Sequence, residues 1–149
     1  MMPRLCLRLA ALIAIALQSG YSRADHSVVL VAREDCAITA IDPLDLRKIY
    51  LGFPVRDKLN SPLRAATNQS QRELYEIFLQ DVMAMSARAY DRRLLTLTLQ
   101  SGRRRPEIYQ HVPELIRAVE SDPGLITFMW EEDFDKAKGL KILRVIWKE

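Results

Sequence analysis

Leu63-Arg64-Ala65-Ala66-Thr67-Asn68-Gln69-Ser70-Gln71-Arg72-Glu73-Leu74-Tyr75-Glu76-Ile77-Phe78-Leu79-Gln80 reads as a short strand that turns into a capped helix. Ser70 followed three residues later by Glu73 has the form of a capping box, and Leu74, Ile77 and Phe78 recur at helical spacing. The helix is therefore expected to start near Gln71. Its first backbone N–H groups, from about Gln71 to Leu74, would face the loop Thr67 to Ser70, where the helix dipole also favours negative charge. An oxyanion would fit there. The plainer reading is that Ser70 only caps its own helix, as the same spacing does in many chains without any ligand.

Working outward, Val28 to Ala32 is a continuous apolar run rich in β-branched residues, expected as a strand buried on both faces of a helix-covered sheet. Ile38 to Ile41 fits a second short extended piece. Asp42-Pro43 opens a two-turn helix through Leu51, with Gly52 suited to its C-terminal cap. Phe53 to Pro62 reads as a surface loop. Ser86 is placed to cap a helix from Ala87 to about Leu95. Leu94 to Leu99 alternates with period two, which fits a strand with threonines on one face, and a continuation of the preceding helix fits as well. Pro113 opens a helix carrying Leu115, Ile116 and Val119, ended by the turn Ser121 to Gly124. Leu125 to Trp130 and Leu140 to Trp147 read as two further strands. Strands alternating with helices give an α/β domain with a mixed, mostly parallel sheet flanked by helices. Ligands of such sheets gather beyond the carboxyl ends of strands, where the turn from Thr67 to Gln71 should fall.

The amino terminus has its own logic. Arg4 and Arg8 precede the apolar run Leu9 to Leu17, and Ser22-Arg23-Ala24 offers small residues three and one before a cut, so residues 1–24 read as a secretory signal peptide. The run is shorter than the ~20 residues needed to span a bilayer, so the mature chain is expected not to insert in a membrane. Arg4, Arg8 and Arg23 are three of 22 basic residues, and the remaining 19 balance 19 acidic ones. The basic pI is thus no argument for nucleic acid as a partner. Of the two cysteines only Cys36 survives cleavage, which excludes an intramolecular disulfide in the mature chain. Residues 25–149 suit one domain whose stability comes from packing.

With these residues placed, the chain resembles the periplasmic phosphate-binding component of phosphate ABC transporters, within the type 2 periplasmic-binding-protein superfamily. The strand Val28 to Ala32 carries the resemblance together with Leu46-Arg47-Lys48-Ile49-Tyr50-Leu51-Gly52, which looks like that family's Leu-x-x-Ile-Phe-x-Gly. Ser70-x-Arg72 with Phe78 adds to it, as does Asp122-Pro123-Gly124-Leu125-Ile126, similar to the family's Pro-Gly-Ala-Ile-Gly-Tyr. Where the family usually shows Gly-Ser-Gly-Thr before the helix, this chain has Asn68-Gln69-Ser70-Gln71. The resemblance implies a binding-protein-like fold in the periplasm, no cofactor, and phosphate or a similar oxyanion as ligand; full-length members enclose phosphate between two lobes, and a chain about half as long is expected to present one lobe with an open face.

The candidate anion site consists of Thr67, Asn68, Ser70, Gln71 and Arg72, with Arg64 as a second guanidinium source. The competing reading is an interaction module of the same fold that has lost its ligand and contacts a membrane transporter, a sensor or another copy of itself. Arg88, Arg92, Arg93, Arg103, Arg104 and Arg105 would form its partner patch. Arg88 and Arg92, four apart on one helix, repel each other unless an acid or anion answers them. An enzyme is poorly supported: His26 and His111 stand alone, with no cysteine or paired carboxylates at metal-ligand spacing. The acids Glu131, Glu132, Asp133 and Asp135 lack the glycine and terminal glutamate of a calcium loop and read as a solvated turn.

Overall fold

The apolar run at 28–32 becomes β1 (Ser27–Arg33), and both faces of it are used. Val28, Leu30 and Ala32 join one core cluster while Val29 and Val31 join a second on the opposite face. That is the period-two consequence of a strand sandwiched between helix layers, and it explains why the sequence shows no polar alternation there. The computed structural model describes residues 26–149. The expected signal peptide at residues 1–24 and Cys6 lie outside the described residues.

After β1 the chain forms α1 (Pro43–Tyr50), β2 (Val55–Arg56), β3 (Pro62–Asn68) and α2 (Arg72–Phe78), which runs into a π-helical turn, Leu79–Met83. Then follow α3 (Ala87–Ser101), β4 (Glu107–Tyr109), α4 (Val112–Ser121), β5 (Leu125–Trp130), α5 (Glu131–Lys136) and β6 (Leu140–Lys148). The strand order is β2-β3-β5-β1-β6, with β4 also paired to β3. The sheet is mixed, as expected, but not mostly parallel. Among the described residues the parallel pairings are those of β3 with β4 and with β5, whereas β1 is antiparallel to β5 and β6, and β2 is antiparallel to β3. Apolar patterning records burial on both faces, which is the same for either strand direction.

The larger core lies between the sheet and α1, α2, the π turn and α3. Phe78 stacks on Phe128 with ring centroids 4.0 Å apart, and Tyr50 leans on Phe78 at 4.5 Å. The Tyr50 hydroxyl donates to the Ala66 carbonyl at 3.1 Å, and Tyr90 donates to the Tyr50 carbonyl at 2.7 Å. Burial pushes both phenols well above their ordinary pKa. On the other face Leu115 and Val119 of α4 pack on Val29, Val31 and Met129. Cys36 is a free, buried thiol, and the Ile38 to Ile41 stretch has no strand pairing, although Ile38 is buried in the core.

Two local expectations resolve. Asp42 caps α1, its side chain accepting from the Leu44 N–H at 2.8 Å, with Pro43 in the first turn. Leu94 to Leu99 continues α3 rather than forming a strand: Leu94 and Leu97 are buried, and Thr98 Oγ1 donates to the Leu94 carbonyl at 2.9 Å. The helix thus gives the threonine hydroxyl an acceptor within its own turn, a bond open to threonine in a helix.

Candidate functional site

β3 and β4 run parallel, and their carboxyl ends meet where Asn68 pairs with Tyr109 and the Gln69 N–H donates to the Tyr109 carbonyl at 2.9 Å. β5 pairs with β3 only at Leu125 and Ile126. Beyond them side chains take over the ladder: Thr127 Oγ1 donates to the Ala66 carbonyl at 2.9 Å, and the buried Asn68 Nδ2 donates to the Phe128 carbonyl at 3.0 Å. The edge where α2, α4 and α5 begin is therefore stitched together by Asn68.

That stitching decides what Ser70 does. Asn68 Oδ1 accepts both the Ser70 N–H at 3.0 Å and the Ser70 hydroxyl at 2.7 Å. The capping-box expectation is corrected here: the N-cap of α2 is Gln71, with no side-chain cap bond. The reason is local. Asn68 Oδ1 takes the Ser70 N–H that a capping box would give to Glu73 and holds the Ser70 hydroxyl that would have accepted from the first turn. The first α2 bond runs from the Tyr75 N–H to the Gln71 carbonyl at 3.2 Å, so the N–H groups of Arg72 to Leu74 precede the helical ladder.

The other expected site residues disperse. Thr67 is buried beside the Tyr90 phenol. Gln71 turns its Oε1 back to accept from Trp130 Nε1 at 2.9 Å. Arg72, whose side chain is 90% exposed, pairs with Glu76 at 2.8 Å one turn along α2. Arg64 lies toward the opposite end of β3 and pairs with Asp122. None of the expected guanidinium groups converges on Ser70. Instead the hollow beside the α2 start, about 400 Å3, is lined by Glu73, Glu132 and Glu149 together with His26, Trp130 and Trp147. His26 Nδ1 stands 3.6 Å from Glu132. Neither the acidic lining nor the role of Gln71 was readable in sequence, because Glu73, Glu132 and Glu149, like Gln71 and Trp130, are far apart in the chain.

The arginine patch divides. Arg88 and Arg92 are exposed on α3, on the stripe that continues through Leu95, 48% exposed, and Leu99, 76% exposed. Arg93 is exposed beside them. Arg103 is half-buried with its guanidinium 3.7 Å above the Phe53 ring. Arg104 and Arg105 line a separate groove with Arg64. Among the described residues no ion pair joins these arginines to α5: Glu132 stands by His26 and Asp133 by Lys136. The expected acidic turn is itself the short helix α5, with Glu131, Glu132 and Asp133 in its first turn, where the dipole favours them, and Asp135 beyond it.

The fold is the periplasmic-binding-protein-like α/β arrangement seen in three solved structures. An ABC-type phosphate transport receptor from Vibrio cholerae superposes with a TM-score of 0.59 at 11% identity, over 80% of this chain and 46% of that one. PstS from Borrelia burgdorferi gives 0.54 at 15% identity, over 80% of this chain and 47% of that one. A possible phosphate binding protein from Planctomyces limnophilus gives 0.55 at 12% identity, over 80% of this chain and 41% of that one. At such identities the likeness is one of fold, and the matched region is less than half of each neighbour. No protein-family model and no curated protein matches the chain.

Proposed function

We propose that this chain is an exported, single-lobe relative of the periplasmic binding proteins that works as an interaction module, not by enclosing an oxyanion at Ser70. One observation carries this reading. The corner where an anion would sit has both Ser70 donors bonded to Asn68 and opens on a hollow lined by carboxylates, with the expected guanidinium groups engaged elsewhere. A carboxylate-lined hollow repels an anion, and an open face leaves water competing for each remaining N–H.

The docking face is the outer stripe of α3, where Arg88 and Arg92 lead into the exposed leucines Leu95 and Leu99. Exposed arginines beside apolar side chains suit a partner that presents acidic residues around an apolar ridge, such as a transporter or sensor domain. Two of the neighbours are, by name, a transport receptor and a possible binding protein, which agrees with a non-enzymatic role. A photo-crosslinker placed at Leu99 in cells tests the reading. A discrete adduct should form with the natural chain and fall by about tenfold with Arg88→Glu/Arg92→Glu. An adduct indifferent to that reversal sinks the α3 interface.

Oxyanion binding is the competing reading, favoured by the N–H groups of Arg72 to Leu74 that precede the helical ladder. Calorimetric titration with phosphate and sulfate separates the two, because the interaction module gives no saturable heat with either anion.

A further inference from the structure

One edge of β3 is covered by two short strands in succession, β2 along Pro62 and Leu63, then β4 from Ala66 to Asn68. Between them, at Arg64 and Ala65, the edge opens into a groove of about 450 Å3. Its floor is apolar, with Phe53, Leu63, Pro106 and Leu125. Its rim carries Arg64, Arg104 and Arg105 against the carboxylates of Glu107 and Asp122. Asp122 is engaged by Arg64, and Glu107 accepts from the Tyr109 hydroxyl at 2.8 Å, a bond that helps raise the Tyr109 pKa. Arg104 and Arg105 are exposed and, among the described residues, form no ion pair with an acidic side chain.

The loop bearing these two arginines is fixed from below. A Cβ at Gly52 would stand 2.6 Å from the Arg104 carbonyl oxygen, so backbone crosses backbone at a distance only glycine allows. Arg103 adds its stacking on Phe53. The backbone that carries the rim is therefore held in place, which lowers part of the ordering cost of binding.

We propose that this groove binds an organic anion, a carboxylate, sulfonate or phosphate monoester carried on an apolar body. The charged end sits between Arg104 and Arg105, and the body covers Phe53 and Leu125. Guanidinium forks supply the charge-assisted bonds, while the floor gains only from a ligand with apolar surface, so inorganic phosphate is a poor match. The groove is separate from the α3 stripe and stands whether or not that docking face is right.

The test uses the fluorescent anion 8-anilinonaphthalene-1-sulfonate and its uncharged analogue N-phenyl-1-naphthylamine, with the protein checked for folding by circular dichroism. The anion should bind saturably, and Arg104→Glu/Arg105→Glu should weaken it about tenfold. The uncharged analogue should bind more weakly than the anion and be indifferent to that reversal. Arg88→Glu/Arg92→Glu, on α3, should change the affinity for the anion less than about twofold. If the charge-reversed protein does not fold, Arg104→Gln/Arg105→Gln should still weaken the anion about threefold. The proposal is overturned if the two dyes bind equally well, if a folded rim variant binds the anion like the natural chain, or if excess inorganic phosphate displaces it.

Discussion

Replacing Asn68 is the sharpest probe of the edge where the site was expected. In Asn68→Ala the Phe128 carbonyl, deep in the sheet, loses the donor that stands in for a ladder bond, and the Ser70 N–H and hydroxyl lose their shared acceptor. A buried carbonyl left unpartnered costs about 2 kcal/mol, and the half-buried Ser70 groups, which can reach water, add about 1 kcal/mol. The sum, about 3 kcal/mol, should lower the midpoint of thermal unfolding by roughly 10 °C for a domain of this size. Asn68→Asp adds a sign. A carboxylate there would place an oxygen against the Phe128 carbonyl in a fully buried position, so its folded-state pKa must rise above the ~3.9 of an unfolded aspartate. Its proton-bound form can donate to Phe128, so stability should approach the natural level below about pH 4 and fall as pH rises, ending below that of Asn68→Ala at pH 7. Urea unfolding of both variants at the two pH values measures this. Equal stability of Asn68→Asp and the natural chain at pH 7 refutes the assigned direction of the amide and the stitching argument with it.

Three other perturbations follow from named contacts. Gly52→Ala must carry a side chain at φ +77° and push back the Arg104 carbonyl from 2.6 Å, so it should cost about 2–3 kcal/mol in urea unfolding and loosen the arginine loop to proteolysis. Tyr90→Phe removes the 2.7 Å bond to the Tyr50 carbonyl and should cost about 1 kcal/mol at pH 7. Because burial raises the Tyr90 phenol, the folded state holds its proton more tightly than the unfolded chain. The natural protein should therefore keep full stability below about pH 10 and lose it above, with a shallower loss in Tyr90→Phe under alkaline urea titration. Gln71→Leu deprives the Trp130 indole of its 2.9 Å acceptor and should alter the tryptophan emission while leaving stability within about 1 kcal/mol.

What the sequence disclosed was burial. The runs at 28–32 and 125–130 are strands whose residues are almost all buried, and Asp42-Pro43 and Ser86 start helices as their capping chemistry implies, each side chain accepting from the first turn. Direction of pairing was hidden, since β1 would show the same apolar run in a parallel sheet. Leu94 to Leu99 misleads for a related reason: period two over six residues also fits a helix that buries Leu94 and Leu97 and leaves Leu95 and Leu99 in water. At the expected site, Ser70 and Glu73 have the right spacing, but Asn68 Oδ1 holds the Ser70 N–H and hydroxyl, and Gln71 takes the N-cap position without a side-chain bond. Arg64 and Arg72 are close to Ser70 in the chain, yet their partners, Asp122 from a distant turn and Glu76 from the outer face of α2, draw them apart. Local motifs record what a residue can bond, and the fold selects among the offers.

The separation of this corner from anion chemistry is tested most directly by following the backbone amide resonances of 15N-labelled protein as phosphate is added. The Asn68 bonds and the neighbouring carboxylates predict that the amides from Ser70 to Leu74 move no more than those of an ionic-strength control. Saturable shifts confined to those amides, and abolished by Ser70→Ala, would contradict the account.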